Sequence, residues 1–154
     1  MLSHGDIAAI RVEAAAYEQK RGAILDALKI VQRRHGWVPD EAVREVAALL
    51  EMTAEEVDEL ATSYSLIFRR PVGRHVIQLC DSVSCWVMGY ANLRDHLRAR
   101  LGIDLGQTTP DGRFTLLPAG CLGFSEQAPA MLVGEDVHGH LTPEKIDHVL
   151  ERYA

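Results

Sequence analysis

The sequence has no run of apolar residues long enough to cross a bilayer, which requires about 20 such residues. Near the amino end, Asp6, Arg11 and Glu13 interrupt the apolar positions, so the pattern indicates neither a secretory signal peptide nor an acid-poor transit sequence. We therefore expect a soluble protein of a bacterial-type cytoplasm, without direct insertion into a membrane.

A clustered basic surface is also missing. The formal net charge is −6, and residues of both signs are mixed along the chain. The densest basic stretch, residues 94–100, also contains Asp95, His96 and Leu97, a mixture typical of the solvated face of a helix. Because binding to phosphate backbones requires clustered Lys and Arg, we do not expect nucleic acid as a partner.

Cysteine is scarce, with only Cys80, Cys85 and Cys121. An odd number in a cytoplasmic-type chain is unsuited to disulfides, so these residues are buried thiols, reactive thiols or metal ligands. A structural zinc site needs two close pairs, and a thioredoxin-type pair has two intervening residues rather than the four seen here. The residues alone leave both the buried-thiol and the metal-site interpretations open.

The first part of the chain is helical by its apolar period. The pattern predicts a helix over residues 6–18, a second helix from residue 24 that ends at Gly36, and a third that begins near Asp40. Thr53 and Glu56 form a capping-box pattern that opens a fourth helix. Four short helices in a row predict a helical bundle domain over residues 1–68.

The remainder of the chain alternates between strand and helix patterns. The predicted elements are a strand at 75–79, a helix over 86–101, a strand at 113–117, a hairpin of 130–133 with 136–138, and a helix after Thr142. The first two strands, joined by a helix, should be parallel, whereas the hairpin adds antiparallel strands. The whole is an α/β chain (α+β overall), with a thioredoxin-like mixed-sheet domain over residues 73–154.

Several motifs together resemble the 24-kDa-type [2Fe–2S] subunit family of respiratory complex I. They are Cys80-Asp-Ser-Val-Ser-Cys85, Gly106-Gln-Thr-Thr-Pro-Asp-Gly-Arg-Phe-Thr-Leu-Leu117, Cys121-Leu-Gly123 and Leu141-Thr-Pro-Glu144. Residues 27–32, 36–39 and 71–75 agree as well, so the resemblance covers nearly the whole chain. It implies a thioredoxin-like ferredoxin domain with one [2Fe–2S] cluster, in an electron-transfer subunit of NADH:quinone oxidoreductase.

The resemblance also implies partners. A flavoprotein subunit that binds FMN and oxidises NADH would dock on this chain, and a larger iron–sulfur subunit would belong to the same complex. That complex would be held peripherally at the cytoplasmic side of the bacterial inner membrane. The FMN and NADH sites would lie on the partner, so this chain alone should have no enzyme activity. Similar subunits serve NAD-linked formate dehydrogenases and hydrogenases, which are the alternative host complexes.

The chain departs from the family pattern at one ligand. Cys80, Cys85 and Cys121 match the pattern Cys-x4-Cys followed by Cys-x3-Cys, but Ser125 stands at the fourth position. Ser125 can ligate iron, the cluster can be incomplete or lost, or water or Glu126 can replace the missing thiolate. Loss of the cluster would leave a structural subunit that stabilises the flavoprotein. Oxygen is a harder donor than sulfur, so serine ligation predicts a potential below the roughly −400 mV of plant-type clusters.

Three further features near this pattern carry expectations. Gly123 is either an ordinary turn residue or a position that lets backbone N–H groups approach the cluster. The Ala128–Pro129 bond is expected to be trans, because only about 5% of such bonds are cis. His138 and His140 are expected to be surface residues rather than metal ligands.

Overall fold

Four α-helices form the first part of the computed structural model, which describes residues 1–154. They are α1 (His4–Ala15), α2 (Ile24–His35), α3 (Asp40–Leu50) and α4 (Ala54–Ser63), with a short 3-10 helix at Lys20–Ala23. One apolar face of each helix is buried in a common core, which confirms the predicted helical bundle. These helices belong to a compact unit, Met1–Pro71. The largest fully buried side chains of this core are Ile10, Leu28, Val31, Val38 and Leu50.

Local capping signals determine where these helices begin and end. Gly36 adopts a left-handed φ of 78° and ends α2, as the sequence predicts. The Thr53 side chain accepts a hydrogen bond from the Glu56 N–H, and the Glu56 carboxylate accepts one from the Thr53 N–H. These two hydrogen bonds complete the predicted capping box. Ser3 and Asp6 form an equivalent box at α1, which sequence inspection did not identify. This box sets the start of the first helix at residue 4. The helix ends at residue 15, so both of its ends come earlier than predicted.

The Asp6 carboxylate is buried at the start of α1. It accepts hydrogen bonds from the Ser3 N–H at 2.9 Å and the Ser3 hydroxyl at 2.8 Å, and it lies 3.3 Å from the Arg34 guanidinium. The backbone hydrogen bond from Ser3 is the largest influence on the pKa of Asp6, and it holds that pKa below its usual value despite the opposing effect of burial. Because the folded-state pKa is lowered, the resulting stabilisation is present above the unfolded pKa of about 3.9. It is lost as the pH falls through the folded-state pKa.

We expect Asp6→Asn to lower the free energy of unfolding by about 1 kcal/mol at neutral pH. The difference between the two proteins should shrink as the pH falls from about 5 to about 2, where the native carboxylate also loses its charge. Urea unfolding followed by circular dichroism at a series of pH values measures this difference. Glu18→Gln removes an exposed carboxylate and serves as the control. A difference that did not change with pH would contradict the expectation.

A four-stranded mixed sheet lies in the second compact unit, Val72–Ala154. Its strands are β1 (His75–Cys80), β2 (Phe114–Ala119), β3 (Met131–Val133) and β4 (Asp136–His138), in the order β2-β1-β3-β4. β1 is parallel to β2, and β3 is antiparallel to both β1 and β4, as predicted. The helices are α5 (Val83–Val87), α6 (Tyr90–Leu101) and α7 (Pro143–Arg152). The core shared by the sheet and the last two helices includes Ile77, Leu97, Leu116, Met131 and Ile146.

The helix predicted over residues 86–101 is in fact two helices. Gly89 has a φ of 110°, a conformation that favours glycine, and it separates α5 from α6. The Tyr90 and Leu97 side chains of α6 are buried in the core, whereas most of α5 remains at the surface. The apolar period cannot show this break, because the exposed residues of α5 are also apolar.

Two further expectations from the sequence are wrong. The Ala128–Pro129 bond is cis. The preference for trans at proline is only about 0.5–1 kcal/mol, which packing of the surrounding loop can outweigh. His138 is buried at the end of β4. Its Nε2 lies 3.2 Å from the hydroxyl of Tyr153, the residue that follows α7. His140 is exposed, as expected.

None of the helices has the length and apolar character that a membrane span requires.

Candidate iron–sulfur site

The three cysteines and Ser125 follow the ends of two neighbouring strands. Cys80 is the last residue of β1, and Cys85 lies in α5 immediately after it. Cys121 follows the end of β2, and Ser125 begins a short 3-10 helix, Ser125–Gln127. Because β1 and β2 are parallel, with Cys80 opposite Ala119, both loops leave the same edge of the sheet. The fold therefore brings together the two halves of the predicted ligand set.

Cys80 and Cys85 form a buried pair. Their exposed fractions are 3% and 2%, and both belong to one small buried cluster. Ala128 and Leu122 pack around them. Leu122 belongs to the loop that carries Cys121. Packing of Leu122 therefore connects the buried pair to the second loop.

The two buried thiols differ in acidity. Burial by itself would raise the pKa of the Cys80 thiol, but hydrogen bonds from Ser82, Cys85 and Leu122 lower it below the usual value. Burial is also the largest influence at Cys85, where together with the neighbouring Cys80 sulfur it raises the pKa. Only the thiolate ligates a metal, so both groups must lose a proton when a cluster binds.

Cys121 and Ser125 form a second, exposed pair. The Cys121 Sγ and the Ser125 Oγ are 3.5 Å apart. Two donors on one tetrahedral metal, with bonds of about 2.3 Å to sulfur and about 2.0 Å to oxygen, would be separated by about 3.5 Å. The Gly123 N–H lies 3.4 Å from the Cys121 sulfur, and its φ of 85° favours glycine at that position. Gly123 is thus both a turn residue and a donor to a sulfur.

The donor set suits a two-iron cluster. The donors lie as two pairs, Cys80 with Cys85 and Cys121 with Ser125. A [2Fe–2S] cluster takes two terminal ligands on each iron, mostly thiolates, and backbone N–H groups near its sulfurs offset its negative charge. Two adjoining pairs with three thiols, a hydroxyl and nearby N–H donors have this character.

An exposed apolar surface adjoins the site. A cavity of about 520 Å³ is bordered by Ser125, Glu126 and His140 on one side and by residues of α5 on the other. The exposed side chains of and beside α5, called here the α5 patch, are Val83 at 79%, Trp86 at 53%, Val87 at 78% and Met88 at 59%. Apolar side chains grouped in this way mark an interaction surface more often than scattered ones do.

Comparisons with known proteins agree with this site. Residues 10–154 match the family described as thioredoxin-like [2Fe–2S] ferredoxin. The chain is 52% identical to the E subunit of the NADH-quinone oxidoreductase of Escherichia coli K12 over 152 residues, which cover 99% of this chain and 92% of that protein. Its identity to the corresponding E subunit of Pseudomonas aeruginosa is 46% over 154 residues, with 100% and 93% of the two chains covered.

A solved structure is also similar. In the H2-reduced NAD+-reducing [NiFe]-hydrogenase, one chain matches with a TM-score of 0.71 and 29% identity over 85% of this chain. The match spans 22% of that hydrogenase chain.

The fold, the paired donors and these matches define a ferredoxin-type iron–sulfur protein. The chain belongs to the thioredoxin-like [2Fe–2S] ferredoxin family. This confirms the resemblance found in the motifs, and with it the [2Fe–2S] cluster as the cofactor. The assignment of Cys80, Cys85, Cys121 and Ser125 as its four ligands stays a prediction.

Proposed function

We propose that this chain is the electron-transfer subunit of an NADH:quinone oxidoreductase and that Cys80, Cys85, Cys121 and Ser125 hold its [2Fe–2S] cluster. The observation that carries the proposal is the 3.5 Å pairing of Cys121 with Ser125, beside the buried pair of Cys80 and Cys85. The 52% identity to an NADH-quinone oxidoreductase subunit, against 29% to the hydrogenase, favours the quinone-linked host complex.

Each ligand pair has a distinct part in this function. Cys80 and Cys85 hold the protein-facing side of the site, where burial excludes water and strengthens electrostatic interactions. Cys121 and Ser125 hold the solvent-facing side, where an electron can enter or leave. The Gly123 N–H stabilises the Cys121 thiolate, and the Ser82 hydroxyl lies 3.2 Å from the Cys80 sulfur. The bound cluster supplies one-electron transfer, and the chain binds, shields and tunes it.

The α5 patch fits a flavoprotein subunit that binds FMN and NADH. It lies beside Ser125, at the exposed side of the site, so a partner that covers it would place its own redox centre close to the cluster. Each Å² of apolar surface that the partner buries would stabilise that contact by about 25 cal/mol. The NADH and FMN sites belong to this partner, and a larger iron–sulfur subunit completes the complex. The assembled chain would lie peripherally at the cytoplasmic side of the inner membrane.

One observation favours a second function. The hydroxyl of Ser125 is a far weaker acid than a thiol, so it is a poorer ligand. If no cluster is retained, the chain is a scaffold that stabilises the flavoprotein.

Iron and sulfide content tests the proposal directly. We expect the full chain, purified without oxygen, to contain about two iron atoms and two acid-labile sulfides, and to give a rhombic EPR signal after one-electron reduction. A chain that folds normally but contains neither iron nor sulfide would support the scaffold function instead.

A further inference from the structure

Ser82 occupies a helix N-cap position without capping the helix. It precedes α5 with φ −65° and ψ 165°, the extended conformation typical of an N-cap residue. Its side chain, however, accepts no hydrogen bond from a backbone N–H of that helix. The N-cap side chains of α1, α4 and α7 do accept such hydrogen bonds. The Ser82 hydroxyl instead lies 3.2 Å from the Cys80 sulfur.

The direction of this hydrogen bond follows from the chemistry of a ligated cysteine. A cysteine that binds iron is a thiolate and has no proton to donate. The Ser82 hydroxyl must therefore donate, and the Cys80 sulfur must accept.

We propose that Ser82 is a positioning residue that, by donating a hydrogen bond to the Cys80 thiolate, favours the reduced form of the cluster. This inference rests on the proposed function, because it requires Cys80 to be a ligand. Reduction adds one electron, supplied by the reductant, and increases the negative charge on the ligating sulfurs. A donor to one of those sulfurs stabilises the added charge, so the hydrogen bond is stronger in the reduced form.

Removal of the hydroxyl tests this role. In Ser82→Ala, we expect the ratio of reduced to oxidised cluster at a fixed potential to fall about tenfold, equivalent to about 59 mV for a one-electron couple. Ser82→Thr keeps the hydroxyl and should retain the native midpoint. Ser84→Ala is the matched control, because Ser84 lies in the same segment and makes no hydrogen bond to a cysteine sulfur. EPR-monitored redox titration of each full chain, with its iron and sulfide content, gives the comparison.

A second measurement uses the unsubstituted chain. The iron–thiolate stretching bands of the resonance Raman spectrum should shift in D2O, because the hydroxyl proton exchanges, and part of this shift should be missing in Ser82→Ala and present in Ser84→Ala. If Ser82→Ala retains its iron and matches Ser84→Ala in midpoint or in the D2O shift, the inference is overturned. Absence of iron from the native chain would instead overturn the proposed function on which it rests.

Discussion

Ser125→Cys will make the cluster easier to reduce. At a fixed potential near the native midpoint, we expect the ratio of reduced to oxidised cluster to rise by at least about tenfold. The alkoxide of serine is a hard donor that stabilises Fe³⁺, whereas a thiolate spreads the charge of the reduced form. A fourth thiolate should also slow the loss of iron to a chelator. EPR-monitored redox titration and iron release to a chelator measure the two effects.

Two companion variants separate the three interpretations of the fourth ligand. If Ser125 ligates iron, Ser125→Ala will lose iron or change the EPR signal, and Glu126→Gln will resemble the native chain. If Glu126 is the ligand, the two results will be reversed. If water is the ligand, neither variant will change the signal. Iron that is absent from the native chain but present in Ser125→Cys would show that serine abolishes the cluster, and it would support the scaffold function.

Val87→Asp will weaken binding to the flavoprotein subunit by about 100-fold or more. Val87 is 78% exposed within the α5 patch, and a partner that covers the patch would bury it. The variant loses the burial of a valine side chain, about 1.5–3 kcal/mol, and places an unpaired carboxylate in the interface. A loss of about 2.7 kcal/mol corresponds to a factor of 100 in Kd. Calorimetry of the cluster-containing chain with the flavoprotein measures this loss.

The control for this prediction is Val12→Asp. Val12 is 71% exposed on α1, in the first compact unit and outside the α5 patch. It should leave the affinity within about threefold of the native value, because charged substitutions at exposed sites away from an interface have small effects. Both variants should retain the iron content of the native chain. Equal losses of affinity, or none at Val87, would remove the α5 patch as the docking surface.

Much of the fold could be predicted because its signals are local. Gly36, the box of Thr53 and Glu56, and Thr142 before Pro143 mark helix ends within a few residues of sequence. The parallel pairing of β1 and β2 also follows from their connection through helices. The break at Gly89 was missed, because a glycine within an apolar period does not show which of its flanking segments is buried.

The candidate site was only partly predictable. The spacing of Cys80, Cys85 and Cys121 left buried thiols and a metal site both open. The resemblance of the surrounding motifs indicated a cluster, and the family match agrees with it. The contact between Ser82 and the Cys80 sulfur could not be predicted, because serine before a helix usually caps that helix. The only available signal was a serine two residues after a candidate ligand, a pattern too common to single out.

The amino-acid sequence by itself determined which donors are present, their order and the serine in place of a fourth cysteine. These properties are covalent and need no folding. Only the tertiary structure decided that Leu122 packs against Cys80 and Cys85, which brings the two ligand pairs together, and that the apolar residues of α5 remain exposed. These contacts depend on the packing of two loops that are joined through the alignment of β1 with β2. Residues about 40 positions apart meet there, and no local pattern encodes their distances or their burial.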